Sequence, residues 1–456
     1  MAWQPEADPL VAAGSGVCDE VLQRIGGRAQ ALVTCGTGTS ALTRFANSRI
    51  HQNMASDEQH VRLRVVVGAG QVAQATTTRV DPDGLERLVK GCLAAAALRP
   101  ADPEFPGLAD PGSLAEVDHW DDVTAAADPD ARAQVVADFV AAGADLEAAG
   151  YCSTDAGTHV LRSTSGLAYA SRATMAQVDG IHRAAAPSGP PTDGCGQGTS
   201  VRLADLNGAR LGAVAAAKAR AGTEPVNLEP GSYEVVLEPR AVAALLLFPA
   251  WLGFNAKAHA EGTSFVHLGE QQLDEQIDLW DDATDQRALG RPYDAEGTPK
   301  RRLDLVRAGV SVGLAHDRRS ARLAGVEPTG SSIGSEAFGG YPADLFLGAG
   351  QQSRDDLVAG VERGLLVSDL WYNRILDPKT QVVTGLTRNG LFLIEGGEVT
   401  RPVQDLRYTQ SVIAALGPGH VLGIGDDAAL VANEGGVVHV PSLRLASFAF
   451  TGGARG

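Results

Sequence analysis

Residues 61–78 read VRLRVVVGAGQVAQATTT, and this stretch carries the clearest fold signal in the chain. Apolar residues alternate with Arg62 and Arg64 over its first five positions, which is the period of a strand with one buried face. Gly68-Ala69-Gly70 then supplies residues suited to a positive-φ turn, and a second, threonine-rich segment follows. The stretch therefore predicts an antiparallel β-hairpin.

The same glycines match the spacing of a dinucleotide-binding loop, as Gly68-x-Gly70-x-x-Ala73. That site needs a helix directly after the glycines, because the N–H groups of the helix N-terminus bind the pyrophosphate. Here a second strand-like segment follows the glycines. We therefore interpret them as a hairpin turn.

Helical segments stand apart from the strands along the chain and do not alternate with them. One helical pattern follows Gly84, a second begins at Asp128-Pro129, and long strand-like stretches separate the two from later helices. This segregation predicts an α+β fold and argues against a doubly wound parallel sheet. A Pro- and Gly-rich boundary at 222–231 divides the chain into an N-terminal domain, residues 1–222, and a C-terminal domain, residues 223–456.

Composition predicts the character of each domain. The first has an antiparallel sheet with helices, and its stretch 187–198, rich in Pro and Gly without periodicity, predicts a surface loop. The second is β-rich. Its residues 241–247 are apolar nearly all round, which is typical of a buried helix.

The chain has 456 residues and a formal net charge of -17. Because nucleic-acid binding depends on clustered Lys and Arg, and no segment concentrates them, we expect no nucleic-acid partner. The longest apolar stretch, residues 241–254, is shorter than the roughly 20 residues that cross a bilayer, and it contains Pro249. The acidic N-terminus lacks the features of a secretory signal. We expect a cytoplasmic protein with no membrane partner.

Local motifs give no convincing catalytic constellation. Gly330-Ser-Ser-Ile-Gly334 has the spacing of a nucleophile elbow, but the pattern indicates no strand before it and no helix after it. None of the ten histidines belongs to a helical HExxH pair, and His259 and His267 come nearest to a shared metal site. The acidic run 278–285 lacks the glycine and spacing of a calcium loop, and we interpret it as a solvated face.

Short motifs in a fixed order resemble the TldD/PmbA family of peptidase subunits. A strand leads into the buried helix at Gly231-Ser-Tyr-Glu-Val-Val-Leu-Glu-Pro-Arg240, and Gly262-Thr-Ser264 and Leu268-Gly-Glu-Gln271 follow it. Tyr293-Asp-Ala-Glu-Gly-Thr298 resembles the family's DxEG loop, and Ser320-Ala-Arg322 resembles its SAR element. Each motif is weak alone. Their order over most of the chain carries the resemblance.

The resemblance aligns residues 248–253 with the metal helix of the family. The active subunit, TldD, carries His-Glu-x-x-x-His there, with histidines that bind metal and a glutamate that acts as general base. In this chain Phe248 and Gly253 stand at the histidines and Pro249 at the glutamate, and no cysteine after Cys195 can supply the family's C-terminal ligand. The resemblance thus implies a chain with no catalytic residue, metal ligand or cofactor, like the second subunit, TldE (PmbA).

By this resemblance, the chain is the metal-free subunit of a TldD/TldE-type heterodimeric metallopeptidase that acts on peptides or peptide-like amides, with a role in peptide-antibiotic or other natural-product maturation. Its partner is a TldD-like, HExxxH-bearing subunit that holds a divalent metal, which we expect to be zinc. The alternative is a stand-alone regulatory or binding protein that acts on a protein partner. A third interpretation is an enzyme with a rebuilt site that uses His259, Glu261 or Glu296.

The resemblance also implies that two loops flanking the lost metal helix line a substrate cavity. Ordinary connecting loops explain the same residues equally well. The candidate cavity-lining residues are His259, Glu261, Gly262, Thr263, Glu270, Asp294, Glu296 and Gly297.

Overall fold

The computed structural model describes residues 3–186, 190–433 and 435–453. Its helices are α1 (Pro9–Ile25), α2 (Pro82–Ala97), α3 (Asp122–Ala125), α4 (Pro129–Ala141), α5 (Gly208–Ala221), α6 (Pro239–Phe248), α7 (Ala256–Ala260), α8 (Arg318–Ala324), α9 (Arg354–Ala359) and α10 (Val412–Ala415). A π-helical turn, Pro249–Gly253, continues α6, and 3₁₀ turns lie at Pro5–Ala7 and Leu203–Asp205. In the described parts of the chain, no helix combines the length and apolar character that a bilayer crossing requires.

The strands fall into three sheets, one N-terminal and two C-terminal. Their bounds are β1 (Gln30–Ala46), β2 (Arg49–Val67), β3 (Gln71–Thr77), β4 (Glu147–Ser163), β5 (Ala168–Ala184), β6 (Thr192–Ser200), β7 (Gly231–Leu237), β8 (Leu279–Asp281), β9 (Leu303–Arg307), β10 (Val310–Ser311), β11 (Leu345–Leu347), β12 (Arg363–Asp377), β13 (Val382–Glu395), β14 (Glu398–Pro402), β15 (Leu406–Ser411), β16 (Val421–Ile424), β17 (Ala429–Asn433), β18 (Gly436–Val440) and β19 (Leu443–Gly453).

The N-terminal sheet has the strand order β3-β2-β1-β4-β5-β6, and every neighbouring pair is antiparallel. The hairpin predicted over 61–78 is confirmed as β2 and β3, joined through Gly68 and Gly70 with φ of 53° and 82°. Both angles lie in the left-handed region that glycine adopts without strain.

One face of this sheet is covered by helices. Helices α1 and α2 pack on the apolar residues of β2 that the alternation singled out, Val61, Leu63 and Val65. Helices α4 and α5 cover the other half around Phe139. The opposite face of β2 presents Arg62 and Arg64, as the period of two requires.

The prediction of a surface loop over 187–198 is wrong from Thr192 onward, because Thr192–Ser200 forms β6 at the edge of the sheet. Residues 187–189 lie outside the described residues. Its glycines are packing positions: a Cβ at Gly194 or Gly196 would overlap backbone atoms of α5. Glycine here allows a helix to approach a strand closely, which composition alone cannot distinguish from a loop.

In the C-terminal half, β12, β7, β19, β15 and β13 pair in a closed ring, and the second sheet has the order β10-β9-β8-β11-β18-β17. Helix α6 packs on β12 and also contacts β17 and β18, with Val242, Leu245 and Leu246 fully enclosed. The predicted α+β fold is confirmed, including the buried helix of the β-rich half.

Candidate functional site

A cleft of about 770 Å³ lies between the helix-free face of the N-terminal sheet and loops of the C-terminal half. Residues of β1, β2, β4 and β5 form its floor, and the facing wall comes from residues 289–300, 332–333, 343–344 and 436–437. We call this the central cleft. It brings together segments that are far apart in the sequence, and it is larger than three other cavities of about 530, 660 and 580 Å³.

A hydrogen-bonded group sits in the middle of the cleft. The Tyr293 hydroxyl donates to the backbone oxygen of His159 at 2.9 Å, and the same hydroxyl oxygen lies 3.1 Å from His159 Nδ1 and 3.2 Å from Ser171 Oγ. Because the phenol has one proton to donate, Nδ1 and Oγ act as donors to it. This assigns the Nδ1–H tautomer to His159 and leaves its Nε2 as an acceptor.

Burial lowers the pKa of His159 well below its usual value, and the positive charges of Arg291 and Arg62 lower it further. The imidazole is therefore neutral near pH 7. His60 and His159 lie on either side of Gly36 in the sheet register. A Cβ at Gly36 would overlap the His60 ring, so this glycine lets His60 lie across β1.

Charged side chains without ion pairs divide the central cleft into two ends. Arg62 on the floor and Arg291 on the wall form no ion pair within the described part of the chain. The same holds for Glu58 and Asp155, which lie farther along the floor. Burial raises the pKa of Asp155, and repulsion from Glu58 adds to the rise. The cleft thus has a cationic end and an anionic end.

Two further charged residues of the wall, Lys300 and Asp344, neutralise each other. Lys300 Nζ donates to Asp344 Oδ2 at 2.8 Å, and both side chains are nearly buried. The backbone N–H of Asp344 in turn donates to Asp281 Oδ1 at 2.7 Å. Burial raises the pKa of Asp281, and the neighbouring Asp344 carboxylate also raises it. This buried group holds the wall in place and offers no free charge to the cleft.

Of the two acidic residues of the DxEG loop, one lines the cleft wall and the other supports the fold. Asp294 lines the cleft and accepts hydrogen bonds from the backbone N–H groups of Glu296, Thr298 and Ser332, each at 2.9 Å. Glu296 lies behind it and is paired with Arg64 at 2.9 Å. Gly297 turns the loop with φ of 82°, and a Cβ there would overlap Leu167.

The positions aligned with the family's metal helix are closely packed. Phe248 is 4% exposed in the C-terminal core, and Pro249 and Gly253 are buried at the two ends of the π-helical turn. A Cβ at Gly253 would overlap the ring of Phe265. These residues supply no ligand atom, and position 253 has no room for a side chain, so they do not fit a metal ion.

The other predicted residues lie away from the central cleft. His259 is half-buried on α7, and the following turn, with Glu261, Gly262 and Thr263, is exposed. Glu261 pairs with Lys257, and Glu270 pairs with His267 at 3.2 Å on the surface. Within the described ranges, no group of three or more His, Cys, Asp or Glu side chains is placed to hold a metal ion.

Sequence reasoning missed most of the charged and hydrogen-bonding residues of the cleft. They are Glu58, His60, Arg62, Asp155, His159, Ser171, Arg291 and Tyr293. One usable signal was present: the alternation that buries Val61 and Leu63 sets Arg62 on the opposite face. The pairing of β1, β2, β4 and β5 that gathers the others is a long-range property and has no local signature.

Comparisons with known proteins agree with this fold. Residues 230–452 match the PmbA/TldA metallopeptidase C-terminal domain, and residues 35–96 match PmbA/TldA metallopeptidase domain 1. Together the two regions cover more than half of the chain. Curated relatives include metalloprotease TldD homologs from Haemophilus influenzae, 29% identical over 36% of this chain, and from Buchnera aphidicola, 24% identical over 43%. These matches span only 34% and 41% of the relatives' own lengths.

Solved structures match over nearly the whole chain. TldE from Thermococcus kodakarensis superposes with a TM-score of 0.84 at 17% identity and covers 96% of this chain and 99% of its own. A candidate modulator of a DNA gyrase from Thermotoga maritima gives a TM-score of 0.85 at 17% identity, with 96% and 100% covered. With the fold of TldE and matches to two domain models of one family, the chain belongs to the TldD/PmbA metallopeptidase family.

Proposed function

We propose that this chain is the metal-free, TldE-like subunit of a heterodimeric TldD/TldE-type metallopeptidase. Its partner is a TldD-like subunit that carries HExxxH and a divalent metal, which we expect to be zinc. The pair acts in the cytoplasm on peptides or peptide-like amides, and natural-product maturation is the role we expect. In this arrangement the chain shapes the substrate path and stabilises its partner, and the partner performs the hydrolysis.

The packing at residues 248–253 is the observation that carries the proposal. A subunit that binds the metal needs two imidazoles and a carboxylate at these positions. This chain has Phe248, Pro249 and Gly253 there, and the ring of Phe265 fills the space that a side chain at Gly253 would need. The family's fold is thus combined with positions 248, 249 and 253 that carry none of the family's metal-binding side chains, which supports the proposal.

Co-expression with a TldD-like chain tests the assembly. Size-exclusion chromatography with light scattering should give a one-to-one complex, which cleaves unfolded peptides. In this chain, His259→Gln and Glu261→Gln should leave cleavage by the complex unchanged. Replacing the partner's HExxxH glutamate by glutamine should abolish cleavage. This last variant is the matched control, because it removes one carboxylate in the subunit that we assign to catalysis.

Two outcomes would contradict the proposal. If no complex forms and the partner cleaves peptides equally well alone, the chain acts elsewhere, as the stand-alone regulatory protein would. If His259→Gln or Glu261→Gln abolishes cleavage while the complex stays intact, this chain has a rebuilt catalytic site of its own.

A further inference from the structure

We propose that the central cleft of this chain binds short free peptides, about four residues long, through both charged termini. The peptide carboxylate binds at Arg62 and Arg291, and the peptide ammonium group binds at Glu58 and Asp155. This inference goes beyond the proposed function, because it needs neither a partner subunit nor a metal. It can fail while the proposed function stands, and the reverse also holds.

Two guanidinium groups approach the cationic end from opposite sides. Arg62 projects from β2 on the floor, and Arg291 belongs to the facing wall. Both lie close enough to His159 for their charges to act on its imidazole. Guanidinium groups without ion pairs bind carboxylates through directed, charge-assisted hydrogen bonds. In a chain with a net charge of -17, two such groups in one cleft indicate an anionic ligand group at this end.

The anionic end carries two carboxylates that repel each other. Glu58 and Asp155 both line the cleft, and the charge of Glu58 disfavours ionisation of Asp155. The nearby Ser40 hydroxyl partly offsets the rise in the pKa of Asp155, but no cation of the described chain pairs with this carboxylate. A positively charged group between Glu58 and Asp155 would relieve the repulsion. The ammonium terminus of a peptide has this charge.

The spacing of the two ends selects the length of the ligand. Arg62 and Glu58 lie on the same face of β2, four residues apart, which corresponds to about 13 Å along a strand. An extended peptide gains about 3.3 Å per residue, so about four residues span the same distance. Between the ends, Gly36 of β1 has the His60 ring across it and His159 on its other side, whereas Gly38 and Gly157 lie level with Glu58. His159 Nε2 is the acceptor available there for a peptide N–H.

Isothermal titration calorimetry of the full-length chain alone tests this binding mode. The probes are tetra-alanine, its C-terminal amide and its N-acetyl form. Tetra-alanine should bind, and each modification should weaken binding about tenfold or more, because each removes one charged hydrogen-bonded terminus. Di-alanine should bind more weakly than tetra-alanine, since it cannot reach both ends of the cleft.

Substitutions connect each terminus to its own end of the cleft. Arg62→Gln should weaken the binding of tetra-alanine about tenfold or more. It should leave the affinity for the C-terminal amide unchanged. Glu58→Gln should weaken the binding of tetra-alanine and leave the affinity for the N-acetyl form unchanged. Arg49→Gln is the matched control: Arg49 is exposed at the start of the same strand and is not part of the cleft, so its replacement should change nothing.

Three results would overturn the inference. One is no binding of tetra-alanine by a folded chain at millimolar concentration. Another is loss of affinity on amidation without any effect of acetylation, which would indicate a site for anions only. The third is an equal loss of affinity for tetra-alanine and for its amide in the Arg62→Gln variant, because Arg62 would then not contact the carboxylate.

Discussion

Arg64 Nη1 donates to Glu296 Oε1 at 2.9 Å, and the two side chains are only 8% and 9% exposed. Arg64 lies on β2 of the N-terminal sheet and also pairs with Glu336, whereas Glu296 belongs to the DxEG loop. The second oxygen of Glu296 accepts the backbone N–H of Arg318 at 3.1 Å. Both oxygens of this carboxylate are thus engaged, one with the N-terminal sheet and the other within the C-terminal half.

Glu296→Ala should therefore reduce stability, because it leaves Arg64 buried with half of its pairing lost. We expect the free energy of unfolding to fall by about 3 kcal/mol, the lower part of the range for a broken buried ion pair, since Glu336 remains. Urea denaturation measures this. Glu261→Ala is the control, because its pair with Lys257 is exposed and should contribute less than about 1 kcal/mol. Equal stability of the two variants would contradict the structural role of Glu296.

Gly253→Ala should also destabilise the chain, since the new Cβ would overlap the Phe265 ring in the core. We expect a loss of about 1–3 kcal/mol, the usual cost of overpacking. Gly91→Ala is the matched control: Gly91 lies in α2 with open space around its Cβ position, so the same change should stabilise by about 1 kcal/mol. A Gly253→Ala variant as stable as the parent would show that this position has room for a larger side chain.

Asp294 should make stability depend on pH. Burial raises its pKa from 3.8 to about 7, and repulsion from Glu296 adds to the rise. The folded state therefore keeps a proton that the unfolded state releases between pH 4 and about 7, so this residue's contribution to stability falls as pH rises through that window. Urea midpoints of the parent and of Asp294→Asn across this range measure the difference.

In the Asp294→Asn variant, the free energy of unfolding should fall less steeply with pH across this window. The difference should correspond to the release of up to one proton, whatever the overall stability of the variant. Asp426→Asn, at an exposed turn, should keep the slope of the parent chain. If the Asp294→Asn slope is unchanged, the three N–H donors outweigh burial and the carboxylate is ionised throughout.

His159 should stay neutral at mildly acidic pH, because burial and the nearby Arg291 and Arg62 guanidinium groups lower its pKa well below 6.5. Its folded-state pKa lies below the unfolded one, so protonation favours unfolding as pH falls below 6.5. Imidazole NMR titration measures this directly, with the signal assigned from its absence in His159→Gln. A His159 ring that titrates at or above pH 6.5 would mean that the central cleft is open to bulk water.

Local sequence patterns predicted the parts of the fold that local rules govern. The hairpin around Gly68 and Gly70 and the buried helix after Pro239 follow from period-two and all-round apolar patterns. Strand β6 was misread because Gly194 and Gly196, which make room for α5, look like loop residues in composition.

The candidate site could be predicted only in part, because it is assembled by long-range pairing. Asp294, known from its motif, lines the central cleft, but nothing in the motif distinguishes it from Glu296, which is bound to Arg64. His60 and His159 come together only because both strands pair with β1 at Gly36. Such a meeting depends on strand order, which no spacing within one segment reveals.

The central claim is that this chain is the metal-free half of a metallopeptidase. Metal content by mass spectrometry, together with peptide cleavage, tests it most directly on this chain alone, on a TldD-like partner alone and on the purified pair. We predict one metal ion per pair, held by the partner, with cleavage by the pair and none by this chain. Stoichiometric metal or peptide turnover in this chain alone would contradict the account and show that the alignment at Phe248 and Gly253 is wrong.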